Sequence, residues 1–258
     1  MSGKVTDKMR DMTEARTTKR FCFLGDSITE GVGVKTGERY FDLLGEKLGI
    51  ETVGYGKNGA QLAALLGQAE RMHAEFGQEI DAVFIFAGTN DFYGNIPLGS
   101  FFDEGREMVV GERDTEGREV RREERRVRRP IFDTATVCGR LNMLLGFLRE
   151  HYPRTAIVIM TPIHRANATF GPKNIQYNEL YSNSIGEFFE DYVAAVRRAA
   201  DIWAIPMIDL YRESGLFPLA DSNAAEFFVN TERDRLHPSA AGHRRIAETI
   251  MRHLPALI

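Results

Sequence analysis

Ser27, Asp234 and His237 are the residue types from which a nucleophile, a general base and an acid to orient that base are assembled. A serine hydroxyl attacks poorly at neutral pH unless a neighbouring base takes its proton. Imidazole suits that task because its ordinary pKa is about 6.5. A carboxylate on the other ring nitrogen fixes the tautomer and stabilises the imidazolium. Asp234 precedes His237 by three residues, a spacing that one turn of backbone closes. The tetrahedral intermediate of such an attack needs donors aimed at its oxyanion. The N–H of Ser27, the N–H of Gly59 and the side-chain amide of Asn90 are the candidates. Glycine at position 59 lets a substrate come close to the backbone.

These residues are spread over more than two hundred positions, so a fold must bring them together. Apolar, β-rich runs alternate with helix-like stretches, the pattern of a parallel sheet covered by helices on both faces. Strands are expected at Phe21–Leu24, around Thr52-Val53, at Ala82–Ala87, at Ala156–Met160 and at Pro206–Leu210. Helices are expected at about Glu38–Leu48, Gln61–Phe76, Thr134–His151, Gln176–Trp203 and Ala240–His253. The run at 82–87 is wholly apolar, as for a strand buried on both faces. The expected architecture is α/β: a three-layer sandwich with about five parallel strands. Ligands in such sheets bind beyond the carboxyl ends of the strands. The blocks Gly25-Asp26-Ser27, Gly56–Gly59, Gly88-Thr89-Asn90-Asp91 and Asp234–His237 are read as loops gathered at that edge.

One segment departs from the alternation. Residues 103–129 carry nine acidic and nine basic side chains around a turn-like Asp114–Gly117. A projecting hairpin is expected there, a solvated charged arm in the first instance and a lid or partner-binding element in the second. The acids cancel the field of the arginines, and the chain as a whole carries a formal net charge of -4. A general nucleic-acid binder would be basic, so that class is set aside.

The length of 258 residues and 43% hydrophobic content suit one domain, expected over 21–258 with the charged insertion at about 103–130. The two cysteines, Cys22 and Cys138, sit in apolar surroundings and read as buried thiols rather than a disulfide framework. Residues 1–20 are polar and lack the apolar core of a secretory signal, and no run reaches the ~18 apolar residues of a membrane span. A cytoplasmic protein with a flexible start at 1–20 is expected. A homo-oligomer is compatible with the sequence.

The four blocks, in this order, resemble those of the GDSL (SGNH) hydrolases, whose second name lists a serine, a glycine, an asparagine and a histidine. Ser27 stands at the serine of the GDS block, Gly59 at the block-two glycine and Asn90 in the GTND block; Asp234 and His237 fill the DxxH block. The likeness spans 21 to about 250. It implies a flavodoxin-like sandwich and a serine esterase that works through an acyl-enzyme without a cofactor. The leading expectation is a small-molecule ester with a short acyl group, such as an acetylated carbohydrate. A longer-chain lipase, lysophospholipase or thioesterase is the alternative. A third reading is an inactive relative that binds sugars or a partner protein.

Two further readings were weighed. Gly54–Gly59 is a literal GxGxxG, but it follows the second strand, whereas the dinucleotide fingerprint belongs after the first. Neither HExxH nor paired CxxC occurs, so no metal site is expected. Among the other histidines, His73, His151 and His253 read as solvated helix positions and His243 as structural. His164 and Arg165 follow the fourth strand at the active edge, and Phe92 and Tyr93 follow the asparagine block. These four are the candidates for lining a substrate pocket. Asp91 is expected to be structural.

Overall fold

A computed structural model describes residues 18–257. Of the start expected to be flexible, residues 1–17 lie outside the described residues. The chain runs through β1 (Arg20–Gly25), α1 (Ser27–Glu30), α2 (Tyr40–Leu48), β2 (Glu51–Gly54), α3 (Leu62–Phe76), β3 (Ala82–Phe86) and α4 (Thr89–Tyr93). It continues with β4 (Phe102–Arg113), β5 (Glu119–Pro130), α5 (Val137–His151), β6 (Ala156–Met160), β7 (Ala168–Gly171), β8 (Asn174–Gln176) and α6 (Phe189–Ile202). Last come β9 (Met207–Ile208), α7 (Leu210–Glu213), α8 (Asp221–Phe227), β10 (Phe228–Asn230), β11 (Asp234–Pro238) and α9 (Ala240–Leu257).

The main sheet is parallel, in the order β2-β1-β3-β6-β9. Side chains alternate across a strand, and that alternation sorts the core into two clusters. Phe21, Phe23, Phe84, Phe86, Val158 and Met160 face α2 and α9, meeting Tyr40, Phe41, Leu44, Ile246 and Ile250. Cys22, Leu24, Val83, Ile85, Ile157 and Ile159 face α3, α5 and α6. On the first face Phe23 stacks on Phe84, ring centroids 5.0 Å apart, and on Phe41 at 5.2 Å. The expected three-layer α/β sandwich with five parallel strands is therefore observed. Cys22 and Cys138 are buried and not disulfide-linked.

Two departures concern the irregular parts. The helix expected at Gln176–Trp203 begins at Phe189. Between 176 and 188 asparagine side chains take the backbone donors that a helix would use, the competition typical of this residue. Asn178 accepts from Leu180 N–H, and Asn183 accepts from the N–H groups of Ile185 and Glu187. Ahead of that loop lie β7 and β8, which join β10 and β11 in a small sheet ordered β10-β11-β7-β8, with antiparallel pairing. Its strands are three to five residues long, too short for a clear alternation signal.

The charged segment forms the expected hairpin, with Phe102 opposite Pro130 and β4 pairing along β5. Asp114 shapes its turn by accepting from Glu116 and Arg118 N–H. At the base, Asn142 of α5 is fully buried and donates at 2.8 Å to the carbonyls of both Phe101 and Ile131. Among the described residues no helix is long and apolar enough to cross a membrane.

Candidate active site

The end of β1 delivers Gly25, and the chain turns sharply into α1. A side chain at 25 would put its Cβ 2.1 Å from Thr29 Oγ1 and 2.7 Å from the Phe86 carbonyl, so glycine is required there. Gln68 of α3 closes the strand end by donating to the Gly25 carbonyl and accepting from its N–H, both at 2.8 Å. Ser27, the first residue of α1, is buried, as are His237 and Asp234. Ser27 Oγ lies 2.9 Å from His237 Nε2, and His237 Nδ1 lies 2.9 Å from Asp234 Oδ2. With Nδ1–H donating to the carboxylate, Nε2 is left to accept from the serine hydroxyl. The other oxygen of Asp234 accepts from the N–H groups of Leu236 and His237, which fixes the carboxylate within its own turn. His237 thus belongs to β11 of the small sheet, not to the loop expected from sequence.

Asn90 lies in α4, and its amide donates to the Ala60 carbonyl at 3.0 Å. A primary amide has two N–H donors. A buried pair holds this loop: Arg140 donates to Asp91 at 2.7 Å, while Asp91 accepts from Leu62 N–H. Burial raises the Asp91 carboxyl above its ordinary value, against the opposing pull of Leu62 N–H and Arg140. Arg140 also reaches Gln61, which in turn donates to the Asn90 carbonyl. The same knot therefore ties the Asn90 loop to residues 60–62. Gly59 has φ +74°, and no heavy atom lies within 4 Å of where a Cβ would stand. The N–H groups of Ser27 and Gly59 have no acceptor among the described residues.

Beneath Ser27, Asp26 is buried and accepts from Ile28 N–H. Desolvation pushes its carboxyl up to about 7. Its charged neighbours include His237, which lowers that value, and Asp91, which raises it.

A cavity of about 290 Å³ opens beside α4 and is lined in part by Phe92, Tyr93 and Arg165. Arg165 is 1% exposed. Its guanidinium donates to the carbonyl and hydroxyl of Thr89 at 3.1 Å and to Gln176 at 2.6 Å, and it lies over the rings of Phe92 and Phe189. It therefore joins the residue before Asn90 to β8. His164 is not in the lining of this cavity. Its ring packs on Tyr211, and Nδ1 lies 2.5 Å from Glu179. Sequence reasoning missed Phe170 of β7, whose ring centroid lies 5.3 Å from that of His237. It also missed Gln68 and Arg140, single polar residues inside amphipathic helices that carry no local signal of their role.

Known proteins share this arrangement of elements. A Lactobacillus plantarum protein of known crystal structure superposes with a TM-score of 0.70 at 25% identity, covering 93% of this chain and 98% of that one. A possible lipase from Chitinophaga pinensis gives 0.67 at 22% identity, with 92% and 98% covered. An acetyl xylan esterase, AlAXEase, gives 0.55 at 18% identity, with 93% and 100% covered. At such identities the last two speak for the fold alone. No curated protein matches the sequence. The model of the GDSL-like Lipase/Acylhydrolase family matches residues 23–245, nearly all of the sandwich and every block described above, and the chain belongs to that family.

Proposed function

We propose that the chain is a serine carboxylic-ester hydrolase acting through an acyl-enzyme on short acyl esters. The observation that carries this reading is the Ser27–His237–Asp234 relay, two contacts of 2.9 Å in series. His237 removes the hydroxyl proton as Ser27 Oγ attacks the ester carbonyl. The N–H groups of Ser27 and Gly59 and the Asn90 amide hold the oxyanion. The imidazolium then protonates the leaving alcohol. His237 next activates a water that attacks the acyl-serine, and the carboxylic acid departs. Asp234 orients the imidazole through Nδ1 and steadies the imidazolium.

A second reading, a lipase or thioesterase for longer chains, draws on the exposed Phe170 beside His237. A nitrophenyl ester series from acetyl to long acyl chains separates the two. Activity peaking at acetyl supports the short-acyl reading, and a peak at long chains replaces it. Ser27→Ala should lower kcat by roughly 10³-fold or more while the protein still folds. Full activity in that variant would remove Ser27 from the chemistry. Asn90→Ala should cost about 10²–10³ in kcat, the usual worth of one oxyanion donor.

A further inference from the structure

Asn90 and His237 stand on elements far apart in sequence, α4 and β11. Arg165 reaches both. Its backbone heads the stretch of chain that pairs with β11. Ala166 N–H donates to the Arg235 carbonyl and Arg235 N–H to the Asn167 carbonyl, each at 3.1 Å, and Asp234 stands opposite Ala168. Arg235 lies between Asp234 and His237 in sequence, so this ladder holds the acid and the base directly. The side chain of Arg165 ends on α4. Nη1 donates to the carbonyl and to the hydroxyl of Thr89, each at 3.1 Å, and Thr89 is the residue immediately before Asn90.

Arg165 is itself held firmly. Glu179 accepts from its N–H at 2.9 Å and returns a bond from its own N–H to the Arg165 carbonyl at 3.5 Å. Nη2 donates to Gln176 of β8 at 2.6 Å, and the guanidinium lies over the rings of Phe92 and Phe189. Nε has no acceptor among the described residues, so the grip rests on the two terminal nitrogens. The planar fork sets those nitrogens at a fixed divergence, one for Thr89 and one for Gln176. An apolar side chain of similar volume would fill the site without the cost of burying a cation. What it could not do is hold Thr89. The residue after Asn90 is fixed by a different arginine: Asp91 accepts from Arg140 and from Leu62 N–H, which sets α4 against the segment that follows Gly59. Two buried arginines thus locate one short helix, Arg140 against the Gly59 donor and Arg165 against the strand that carries the base.

We infer that Arg165 is a positioning residue, a strut that holds the Asn90 amide in place relative to His237 so that donor and base address the same carbonyl. It acts through Asn90 and not on the substrate. The inference rests on the hydrolase reading for what those two groups do, but the rigidity of α4 can be measured without turnover. Misplacing a catalytic group by about 1 Å can cost about 10²-fold. The loss on weakening the strut is bounded by the cost of losing Asn90 altogether.

The experiment is a double-variant cycle on nitrophenyl acetate with the wild type, Arg165→Lys, Asn90→Ala and the two combined. Lysine keeps the positive charge but offers a single nitrogen, so Thr89 and Gln176 cannot both be gripped. In Arg165→Lys kcat should fall roughly tenfold to a hundredfold while KM changes by less than about twofold. In the Asn90→Ala background the same substitution should cost less than about twofold, because the group it positions is gone. Gln176→Leu, which cuts the strut at β8, should repeat the pattern with a smaller loss. A thermal melt establishes that each variant is folded, and Gln176→Leu carries the cycle in place of an Arg165→Lys protein that does not fold. Amide hydrogen exchange supplies the readout without turnover. The N–H groups of Phe92, Gly94, Asn95 and Ile96, bonded in and just after α4, should exchange about tenfold faster or more in Arg165→Lys, with α9 unchanged. Three outcomes overturn the strut: unchanged kcat in a folded Arg165→Lys protein, a rise in KM at constant kcat, or an equal loss with and without Asn90. Serine-dependent hydrolysis by the wild type leaves the hydrolase reading standing in each of these cases. Faster exchange at α4 in Arg165→Lys, with no hydrolysis of any ester by the wild type, keeps the strut and overturns the hydrolase reading.

Discussion

Two segments interrupt the alternation of strands and helices, and they are built on opposite plans. The arm β4–β5 is dense in charge, and every arginine in it pairs with an acid of the same arm, as in Arg106–Glu124, Arg129–Glu107 and Arg126 and Arg128 with Glu104. The segment 166–188 carries few charges and exposes Phe170, Ile175, Tyr177, Leu180, Tyr181, Ile185 and Phe188. The arm satisfies itself and makes its ion pairs in water, where each is worth little. The other segment is anchored through buried groups, Arg165 and Glu179, and places Phe170 beside His237 of the relay. Charge density alone would have pointed to the arm as the functional insertion. Burial and position point to the quieter one.

The contrast is sharpest for arginine. Arg165→Ala removes a buried cation from Thr89 and Gln176 and leaves Glu179 without its compensating charge. A loss of about 3–5 kcal/mol is expected in urea unfolding. Arg126→Ala on the arm should cost no more than about 0.5 kcal/mol. Equal losses would dissolve the distinction.

The acids differ in the same sense. On the arm, arginine partners hold the carboxyls of Glu104 and Asp114 below their ordinary range. At the site, burial holds Asp26 up to about 7, so its neutral form is the one the fold favours. That contribution is complete below the unfolded value of 3.8 and is lost as pH rises through about 7. His243, which is buried with Nδ1 accepting from Tyr40 N–H, is pulled down to about 4. Its contribution is complete above 6.5 and is lost as pH falls through about 4. Between those limits the two slopes oppose one another. Asp26→Asn keeps an acceptor for Ile28 N–H and leaves His243 alone. Stability of that variant should rise with pH from about 4 to 6.5 by up to about 1.4 kcal/mol per unit more steeply than in the wild type. Chemical unfolding across that window checks it, and parallel profiles would refute the assignment.

Smaller effects follow at the edges of the two segments. Phe170→Ala removes a ring contact worth about 0.5–1.5 kcal/mol, so kcat on nitrophenyl acetate should fall roughly two- to tenfold. Replacing residues 103–129 by a two-residue Asn-Gly turn should change kcat/KM on the same ester by less than about twofold, since surface segments tolerate such changes. A collapse of activity there would make the arm part of the site.

Much of this was legible in the sequence, for reasons that differ by element. The buried strands announced themselves because a parallel sheet covered on both faces needs unbroken apolar runs, and Ala82–Phe86 and Ala156–Met160 are such runs. Ser27, Asn90 and His237 could be named as candidates because residue types able to do this chemistry stand at fixed points in the strand order, and the structure brings Ser27 and His237 within 2.9 Å of each other. The small sheet escaped because β7 and β8 are held by pairing partners distant in sequence. The late start of α6 escaped because the asparagine turns at 178 and 183 compete with helix through geometry that composition does not display. His164, expected to line a substrate pocket, packs instead on Tyr211 and lies outside the lining of the cavity beside α4, because following a strand does not determine which way a side chain turns.

The contact between Ser27 and His237 joins residues 210 positions apart. It therefore cannot form until nearly the whole chain has been threaded into place, whereas the arm closes through neighbours and can form early. In refolding from urea, recovered hydrolysis should trail the recovery of β-structure seen by circular dichroism. Activity would then serve as a reporter of the last event in folding.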